Sequence, residues 1–182
     1  SGNTVRKVDS YEASPYWAIR QGEEHNTGDI AIVKFSGGLA PGYQAVQILA
    51  DTSVLKNGAS ITLAGYGISD GVNKTGGGTL RWVDTEIKDS AYIQTEVLTE
   101  QAKGKGACHG DSGGPAYIRV NGRVMLFGVT SRGVDDVNDH CNVSAAYTKV
   151  PYYSNWIAKA AQRLQNAQPT PVPNIVNPVA RN

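Results

Sequence analysis

The stretch ACHGDSGGPAY, residues 107–117, places one serine, Ser112, in a loop that carries very little side chain. Gly110 stands two positions before the serine, and Gly113 and Gly114 follow it directly. A nucleophilic serine must be exposed, must have a base beside it, and needs N–H donors for the oxyanion that forms on the attacked carbonyl. Glycines leave room for an approaching backbone and allow the φ/ψ angles of a sharp turn. The loop therefore predicts a nucleophile whose oxyanion hole is made by the backbone N–H groups of Gly110 and Ser112.

The composition bounds the class of protein. The chain has 182 residues, a net charge of +1, 40% hydrophobic residues and 18% charged residues, which is typical of one soluble globular domain. The near-neutral charge gives no electrostatic reason to expect nucleic acid or an acidic membrane surface as a partner. No apolar run approaches the roughly 20 residues that span a bilayer, so no membrane span is predicted.

Short apolar-rich runs, punctuated by glycine, Asn, Asp and proline, predict an all-β chain. The runs cover residues 29–35, 45–49, 60–67, 80–87, 116–120, 123–131 and 145–150. Asn121-Gly122 predicts a tight hairpin turn, since both residues tolerate positive φ. One helix is predicted over 152–166, with Ser154 as its N-cap. Strands followed by one terminal helix indicate a sandwich or barrel with that helix packed on it.

The same strand pattern divides the chain into a domain over residues 1–165 and a tail over 166–182. Four of the eight prolines lie in this tail, which favours an extended segment over a packed element. The polar start, SGNTVRKVD, is expected to be the interior of a longer precursor.

Five motifs, in the same order along the chain, resemble those of the chymotrypsin-like (trypsin-like) serine endopeptidases. GDSGGP (110–115) resembles that family's nucleophile motif, and NTGDIAIVKF (26–35) resembles its catalytic-aspartate strand. LAGYG (63–67), GVTSRG (128–133) and CNVSAAYTKVPYYSNWI (141–157) resemble three further family motifs. The resemblance covers roughly residues 5–165.

This resemblance implies a double six-stranded antiparallel β-barrel of the chymotrypsin type, with the N-terminal barrel incomplete in this chain, and a C-terminal helix. It also implies a serine endopeptidase that hydrolyses peptide bonds of a polypeptide substrate through an acyl-enzyme. Ser112 is then the nucleophile, and Asp29 orients the catalytic histidine.

The letters GDSGG also satisfy G-x-S-x-G, the nucleophile elbow of α/β-hydrolases. Those enzymes place a helix directly after the serine, and their acid and histidine follow it in the sequence. Here Pro115 and a predicted hairpin follow Ser112, and only 70 residues remain. The elbow interpretation is rejected on these grounds.

The family's histidine motif, which precedes the aspartate, is absent from this sequence. The three histidines are His25, predicted in a variable loop, His109, predicted at the rim of the substrate pocket, and His140, predicted to be exposed. We therefore predict that the 182 residues are one chain of a cleaved two-chain enzyme, inactive alone, whose histidine lies on a complementary N-terminal chain. Autolysis before Ser1 would produce such a chain. A recombinant fragment or a noncatalytic, protease-like binding module is the alternative.

Asp111, beside the nucleophile, corresponds to the acid that pairs in the family with the α-amino group freed by zymogen activation. Without that partner it would be a buried unpaired charge, which is costly, and the oxyanion loop is expected to be poorly formed.

The resemblance also implies a specificity pocket with Gly106 at its base and Ala107 next to it. Its walls would be Ser131, Arg132, Gly133 and Ala145. A base without charge predicts a preference for apolar or aromatic residues over basic ones. The substitution Gly106→Asp is expected to find room in the pocket and shift preference towards Arg and Lys. Arg132 stands where the family has tryptophan, and is expected either to be solvated or to favour an acidic upstream residue.

Cys108 and Cys141, 33 residues apart, match the family disulfide that braces this pocket. Closing such a loop stabilises by about 3–4 kcal/mol. A disulfide favours a secreted or periplasmic location. No cofactor and no metal are predicted. The acidic run 135–139 has the composition of a calcium loop, but is interpreted as solvated.

Overall fold

The computed structural model describes residues 5–19 and 28–166, and these form a mostly β structure with a C-terminal helix. The strands are β1 Val8–Ala13, β2 Ala31–Phe35, β3 Gln47–Ile48, β4 Ser60–Gly65, β5 Arg81–Ile93, β6 Glu96–Glu100, β7 Pro115–Val120, β8 Arg123–Val134 and β9 Ser144–Lys149. The helices are α1 Pro15–Ile19 and α2 Ser154–Asn166, with 3₁₀ turns at Thr52–Val54 and Val150–Tyr153. The predicted all-β class with one terminal helix is confirmed.

Six strands form a closed antiparallel barrel. The order around it is β4, β5, β6, β9, β8 and β7, and β7 pairs with β4 to complete the ring. Closure leaves no unpaired strand edge within the barrel. Its interior is filled by apolar side chains from these strands, among them Ile61, Ile87, Val97, Phe127 and Tyr147. The Ser112 loop connects two strands of this barrel, β6 and β7.

Among the described residues before β3, the strands β1 and β2 form a two-stranded antiparallel sheet, with α1 between them in the sequence. Tyr11 lies opposite Val33 in this sheet, and both side chains are exposed, as is Phe35 at 40%. A two-stranded sheet is marginal by itself. Here α2 supports it, because Lys34 donates through Nζ to the carbonyl oxygen of Leu164 at 2.9 Å.

The predicted hairpin at Asn121-Gly122 is confirmed. Both residues have positive φ, 49° and 78°, and Val120 lies opposite Arg123 in the β7–β8 register. This conformation gives the right-handed twist that two-residue hairpins favour.

The predicted N-cap at Ser154 is wrong. Ser154 has helical angles, φ −53° and ψ −42°, and its hydroxyl donates to the carbonyl of Pro151 at 2.7 Å. The physical reason is that the 3₁₀ turn Val150–Tyr153 runs directly into α2, so Ser154 lies inside a continuous helical segment rather than before its first turn. The tail that was predicted over 166–182 lies, from residue 167 onward, outside the described residues.

Candidate active site

The loop between β6 and β7 presents Ser112 to solvent. Turns shape the loop: Asp111 N donates to Cys108 O at 3.0 Å, and Gly114 N donates to Asp111 O at 2.8 Å. Gly110 and Gly113 have φ of +92° and +79°, a region that side chains rarely adopt. Among residues 5–19 and 28–166, no acceptor takes the N–H of Gly110 or Ser112. Both N–H groups are therefore available to a ligand.

Asp111 turns its side chain inward, beneath the glycines at the end of β4. Its Oδ1 accepts from Gly67 N at 2.8 Å and its Oδ2 accepts from Cys108 N at 2.9 Å. A Cβ added at Gly65 would lie 1.9 Å from Oδ1, and one at Gly67 would lie 2.4 Å from Oδ2. A side chain at either position would therefore displace the Asp111 carboxylate. Asp111 is partly buried rather than buried, and two backbone donors hold its charge in place of an ion-pair partner.

A cavity of about 300 Å³ opens beside this carboxylate. Its lining includes Asp111, Gly67, Trp82, Gly106 and His140. No described cationic side chain forms an ion pair with Asp111. The cavity therefore offers a carboxylate that can still accept from a donor entering beside it.

Asp29 lies just before β2 and is held by residues of the barrel. Its Oδ2 accepts from Ser131 Oγ at 2.8 Å, and its carbonyl oxygen accepts from Thr148 Oγ1 at 2.9 Å. The β8–β9 register shifts between Thr130 and Arg132, so Ser131 stands at a bulge. A bulge re-aims a side chain, which here points Ser131 at Asp29.

The Ser112 loop and Asp29 are anchored to neighbouring residues of β8. Gly113 N donates to Thr130 O at 2.9 Å, while the next residue, Ser131, donates to Asp29. Gly113, which follows Ser112, and Asp29 therefore contact consecutive residues of β8.

The pocket base differs from the expectation. Gly106 has no free space at its Cβ position, because an added Cβ would lie 2.3 Å from Cγ and from Nε2 of Gln101. Gln101 is buried, and its Nε2 donates to Ala107 O at 2.5 Å. The expectation that Gly106→Asp would find room is therefore wrong. Gln101 was missed because a glutamine in a polar run gives no sign that its amide is buried.

The predicted pocket walls are of two kinds. Ala107 and Ala145 are buried in the barrel core, whereas Gly133 is exposed and has nothing within 4 Å of its Cβ position. Gly106 and Ala107 line the cavity beside Asp111, whereas Ser131, Arg132, Gly133 and Ala145 are not among the residues that line it.

The Arg132 side chain is 28% exposed, and its guanidinium is paired within the protein. Its Nη1 and Nη2 donate to Glu96 Oε1 and Oε2 at 3.0 and 2.8 Å, in a bidentate pair. Glu96 is only 1% exposed. Burial opposes the charge of Arg132, but the hydrogen bonds and charge of Glu96 outweigh it and raise the pKa of the guanidinium. No neighbour of Arg132 in the sequence indicates this pairing, because Glu96 lies 36 residues away.

The described histidines do not reach the Ser112–Asp29 region. His109 is exposed, and its Nε2 lies 2.9 Å from Asp139 Oδ1 and 3.1 Å from Lys74 Nζ. The prediction that His140 is exposed is wrong: it is partly buried, and its backbone N donates to Asp136 Oδ1 at 3.1 Å. His25 lies outside the described residues.

The acidic run 135–139 is held by the protein's own donors. Asp136 accepts from the backbone N–H groups of His140 and Cys141, and Asp139 pairs with Lys74. The Lys74 hydrogen bond is the main reason that the pKa of Asp139 is lowered. These contacts occupy two of the carboxylates of the run.

The predicted disulfide is confirmed. Cys108 and Cys141 are bonded, with their Cα atoms 5.3 Å apart. The bond joins the Ser112 loop to the segment before β9, and both cysteines line the cavity beside Asp111.

Comparison with known proteins decides the family. Residues 3–157 match the Trypsin family profile. The chain belongs to the trypsin family. It is 29% identical over 177 residues to trypsin alpha of Drosophila melanogaster, covering 90% of this chain and 64% of that protein. It is 30% identical over 162 residues to trypsin alpha-3 of Lucilia cuprina, covering 79% of this chain and 92% of that protein.

A chymotrypsin of Phaedon cochleariae is 31% identical over 117 residues, which is 60% of this chain and 40% of that one. Among solved structures, a mutant of human heparin binding protein (CAP37) has a TM-score of 0.68 at 18% identity, covering 92% of this chain and 69% of that one. This likeness shows the fold. The chain thus spans about 64% of the length of the Drosophila trypsin.

Within the described part of the chain, no helix is long and apolar enough to cross a membrane.

Proposed function

We propose that the protein is a serine endopeptidase that cleaves polypeptides through an acyl-enzyme. The observation that carries the proposal is the anchoring of the Ser112 loop and of Asp29 to consecutive residues of β8. An exposed serine, two available N–H donors and a fixed carboxylate are three of the four parts that serine hydrolysis requires. The fourth is a histidine.

In the proposed reaction the histidine takes the Ser112 proton as Oγ attacks the substrate carbonyl. The oxyanion accepts hydrogen bonds from Gly110 and Ser112 N–H. The histidine then gives its proton to the leaving amine, and the amide bond breaks to leave an ester on Ser112. A water, deprotonated by the same histidine, hydrolyses that ester and restores the serine. Asp29 holds the imidazole in the tautomer that accepts the proton.

The histidine is proposed to lie on a complementary N-terminal chain. The exposed apolar face of the β1–β2 sheet, formed by Tyr11, Val33 and Phe35, supports this proposal. Such a face gains about 25 cal/mol per Å² when it is covered, and strands that complete a second barrel would cover it. The chain alone would then be inactive.

Activation is proposed to occur at the cavity beside Asp111. The α-amino group of a newly cut N-terminus would enter this cavity and pair with the carboxylate, as happens when a zymogen is activated. The backbone N–H groups of Gly67 and Cys108 hold that carboxylate in place before the partner arrives. The Cys108–Cys141 disulfide supports a secreted or periplasmic location, since disulfides persist in oxidising compartments.

The pocket is proposed to prefer apolar or aromatic side chains over basic ones. Gly106 supplies no charge, and the buried Gln101 amide at the base is neutral. Placing an unpaired cation against it costs several kcal/mol. We now expect Gly106→Asp to disturb the base, because the new side chain would displace Gln101.

A noncatalytic binding module is the second candidate. It is favoured by one observation, that neither described histidine contacts Ser112 or Asp29. In that case the exposed Ser112 loop would bind a polypeptide without cleaving it.

A turnover assay separates the two. The chain is expressed with the histidine-bearing N-terminal segment, and a peptide library is offered to this enzyme, to the 182-residue chain alone and to the Ser112→Ala variant. We expect cleavage by the two-part enzyme only, mainly after Phe, Tyr, Leu or Met. Binding without cleavage would support the second candidate, and cleavage mainly after Arg or Lys would refute the proposed pocket.

A further inference from the structure

The pair formed by Glu96 and Arg132 lies beside the candidate active site and has no part in the proposed reaction. Glu96 is at the start of β6, and Arg132 is in β8, with β9 between those two strands. The bidentate contact therefore crosses a whole strand. A guanidinium and a carboxylate held by two parallel hydrogen bonds have a fixed mutual geometry. The position of Arg132 is thereby tied to the buried wall of the barrel.

Arg132 is connected in turn to the candidate catalytic acid. Its Nη1 lies 3.4 Å from Ser131 Oγ, which is a long hydrogen bond, and Ser131 Oγ donates to Asp29 Oδ2 at 2.8 Å. The side chains thus form a continuous series from buried Glu96 to Asp29. Arg132 donates both to Glu96 and to the oxygen of Ser131, so the Ser131 proton is left to point at Asp29.

The backbone gives a second link. Arg132 is the residue at which the β8–β9 register resumes after the bulge, where it lies opposite Ala146. A bulge leaves the ladder locally unpaired, so its conformation depends on the contacts of the residues that flank it. The Glu96–Arg132 pair supplies such a contact on one side, and the Thr130 O–Gly113 N hydrogen bond supplies one on the other.

We propose that Glu96 and Arg132 are positioning residues, whose ion pair fixes the Ser131 bulge and through it the orientation of Asp29. The inference rests on the proposed function for its catalytic consequence. Its structural consequence, a fixed bulge, does not depend on catalysis. Glu96 is 1% exposed and cannot touch a substrate, so an effect of its substitution on turnover has to act through other residues.

Three variants separate positioning from stability. Glu96→Gln keeps the shape and removes the charge. Arg132→Lys keeps the charge and removes the planar two-pronged contact. The double variant Glu96→Met/Arg132→Met replaces the pair by apolar groups, a change that is often neutral or stabilising for buried ion pairs. The matched control is Glu12→Gln, which removes the other Glu–Arg pair, formed by Glu12 with Arg163 on α2.

Two measurements are made on each variant. Amide hydrogen exchange at residues 130–133 is followed in the 182-residue chain, and kcat and KM are measured in the two-part enzyme. We expect Glu96→Gln and the double variant to raise exchange at 131–133 at least tenfold. We expect kcat to fall at least tenfold while KM changes less than threefold. For Arg132→Lys, the exchange rate and kcat should lie between those of these variants and the wild type. The control should match the wild type in both measurements.

The double variant is decisive, because it is expected to be as stable as the wild type and still deficient in kcat. Recovery of wild-type kcat in that variant, or unchanged exchange at 131–133 in Glu96→Gln, would overturn the proposal. If the wild-type two-part enzyme shows no turnover, the proposed function fails, and the exchange result alone decides whether the pair fixes the bulge.

Discussion

The closed barrel buries a phenylalanine side chain, whereas the β1–β2 sheet leaves one exposed. The chain has two phenylalanines. Phe127, on β8, is completely buried in the barrel core, whereas Phe35, on β2, is 40% exposed. Every strand of the barrel has two neighbours, while β1 and β2 have only each other within the described residues. The barrel is closed around a buried core, whereas the sheet presents an apolar surface of the kind that marks an interaction site.

The candidate site is divided between these two regions, but unequally. Ser112, the disulfide and the pocket all belong to the barrel. Asp29 precedes β2, yet Ser131 and Thr148 of the barrel hold it through a side-chain and a backbone hydrogen bond. The comparison teaches that the Ser112 loop and Asp29 are both held by the closed barrel. We propose that the histidine belongs to strands that cover the β1–β2 sheet.

The largest effect is expected from truncation in the barrel. Phe127→Ala should lower the free energy of unfolding by about 3–5 kcal/mol, because it removes a fully buried ring and leaves a cavity. Urea unfolding of the 182-residue chain measures this, with Phe127→Leu as the matched control that keeps most of the volume. A loss below about 1 kcal/mol would show that the barrel core is not close-packed.

The same truncation in the sheet should have a smaller effect. Phe35→Ala is expected to cost about 1–2 kcal/mol in the 182-residue chain, since much of the ring already contacts water. The cost should rise towards the Phe127 value in the two-part enzyme, if the complementary chain covers this face. Equal losses with and without that chain would mean that the face stays exposed, and the proposed partner surface would be wrong.

The smallest effect concerns the pair that joins the sheet to α2. Glu12 accepts from Arg163, and this hydrogen bond is the main reason that the pKa of Glu12 is lowered. A lowered carboxyl pKa stabilises the folded state above the unfolded pKa of about 4.3. That stabilisation is lost as the pH falls through the lower folded value.

We therefore expect the wild type to unfold at slightly higher urea than Glu12→Gln at pH 7, and the two midpoints to converge as the pH drops below about 4. Urea titrations at a series of pH values measure this. A difference that is independent of pH would show that the carboxylate charge contributes nothing to the joint between sheet and helix.

How far the sequence predicts the fold depends on which groups are buried. The barrel strands with apolar alternation, such as β4 and β8, were predicted, and so was the Asn121-Gly122 hairpin, because local patterns encode both. Strand β6 was not predicted, since its buried residues include Glu96 and Thr99. These polar residues are stabilised by partners on distant strands: Arg132 pairs with Glu96, and the Ala145 carbonyl accepts from Thr99.

The candidate site shows the same division. The glycines around Ser112 and the cysteine pair could be predicted because motif spacing carries them. The filling of the pocket base by Gln101 and the pairing of Arg132 could not, because each depends on which side chains the closed barrel brings together. Their sequence neighbours give no indication of either contact.

The central claim is that Ser112 becomes an activated nucleophile when the histidine-bearing segment is present. A fluorophosphonate probe, which reacts with activated serines, followed by intact-mass and peptide mapping, tests it most directly. We predict one adduct per molecule, located on Ser112, in the two-part enzyme, with labelling at least a hundredfold slower in the 182-residue chain and absent in Ser112→Ala. An unlabelled Ser112 in the two-part enzyme, or an adduct that persists in Ser112→Ala, would contradict the claim.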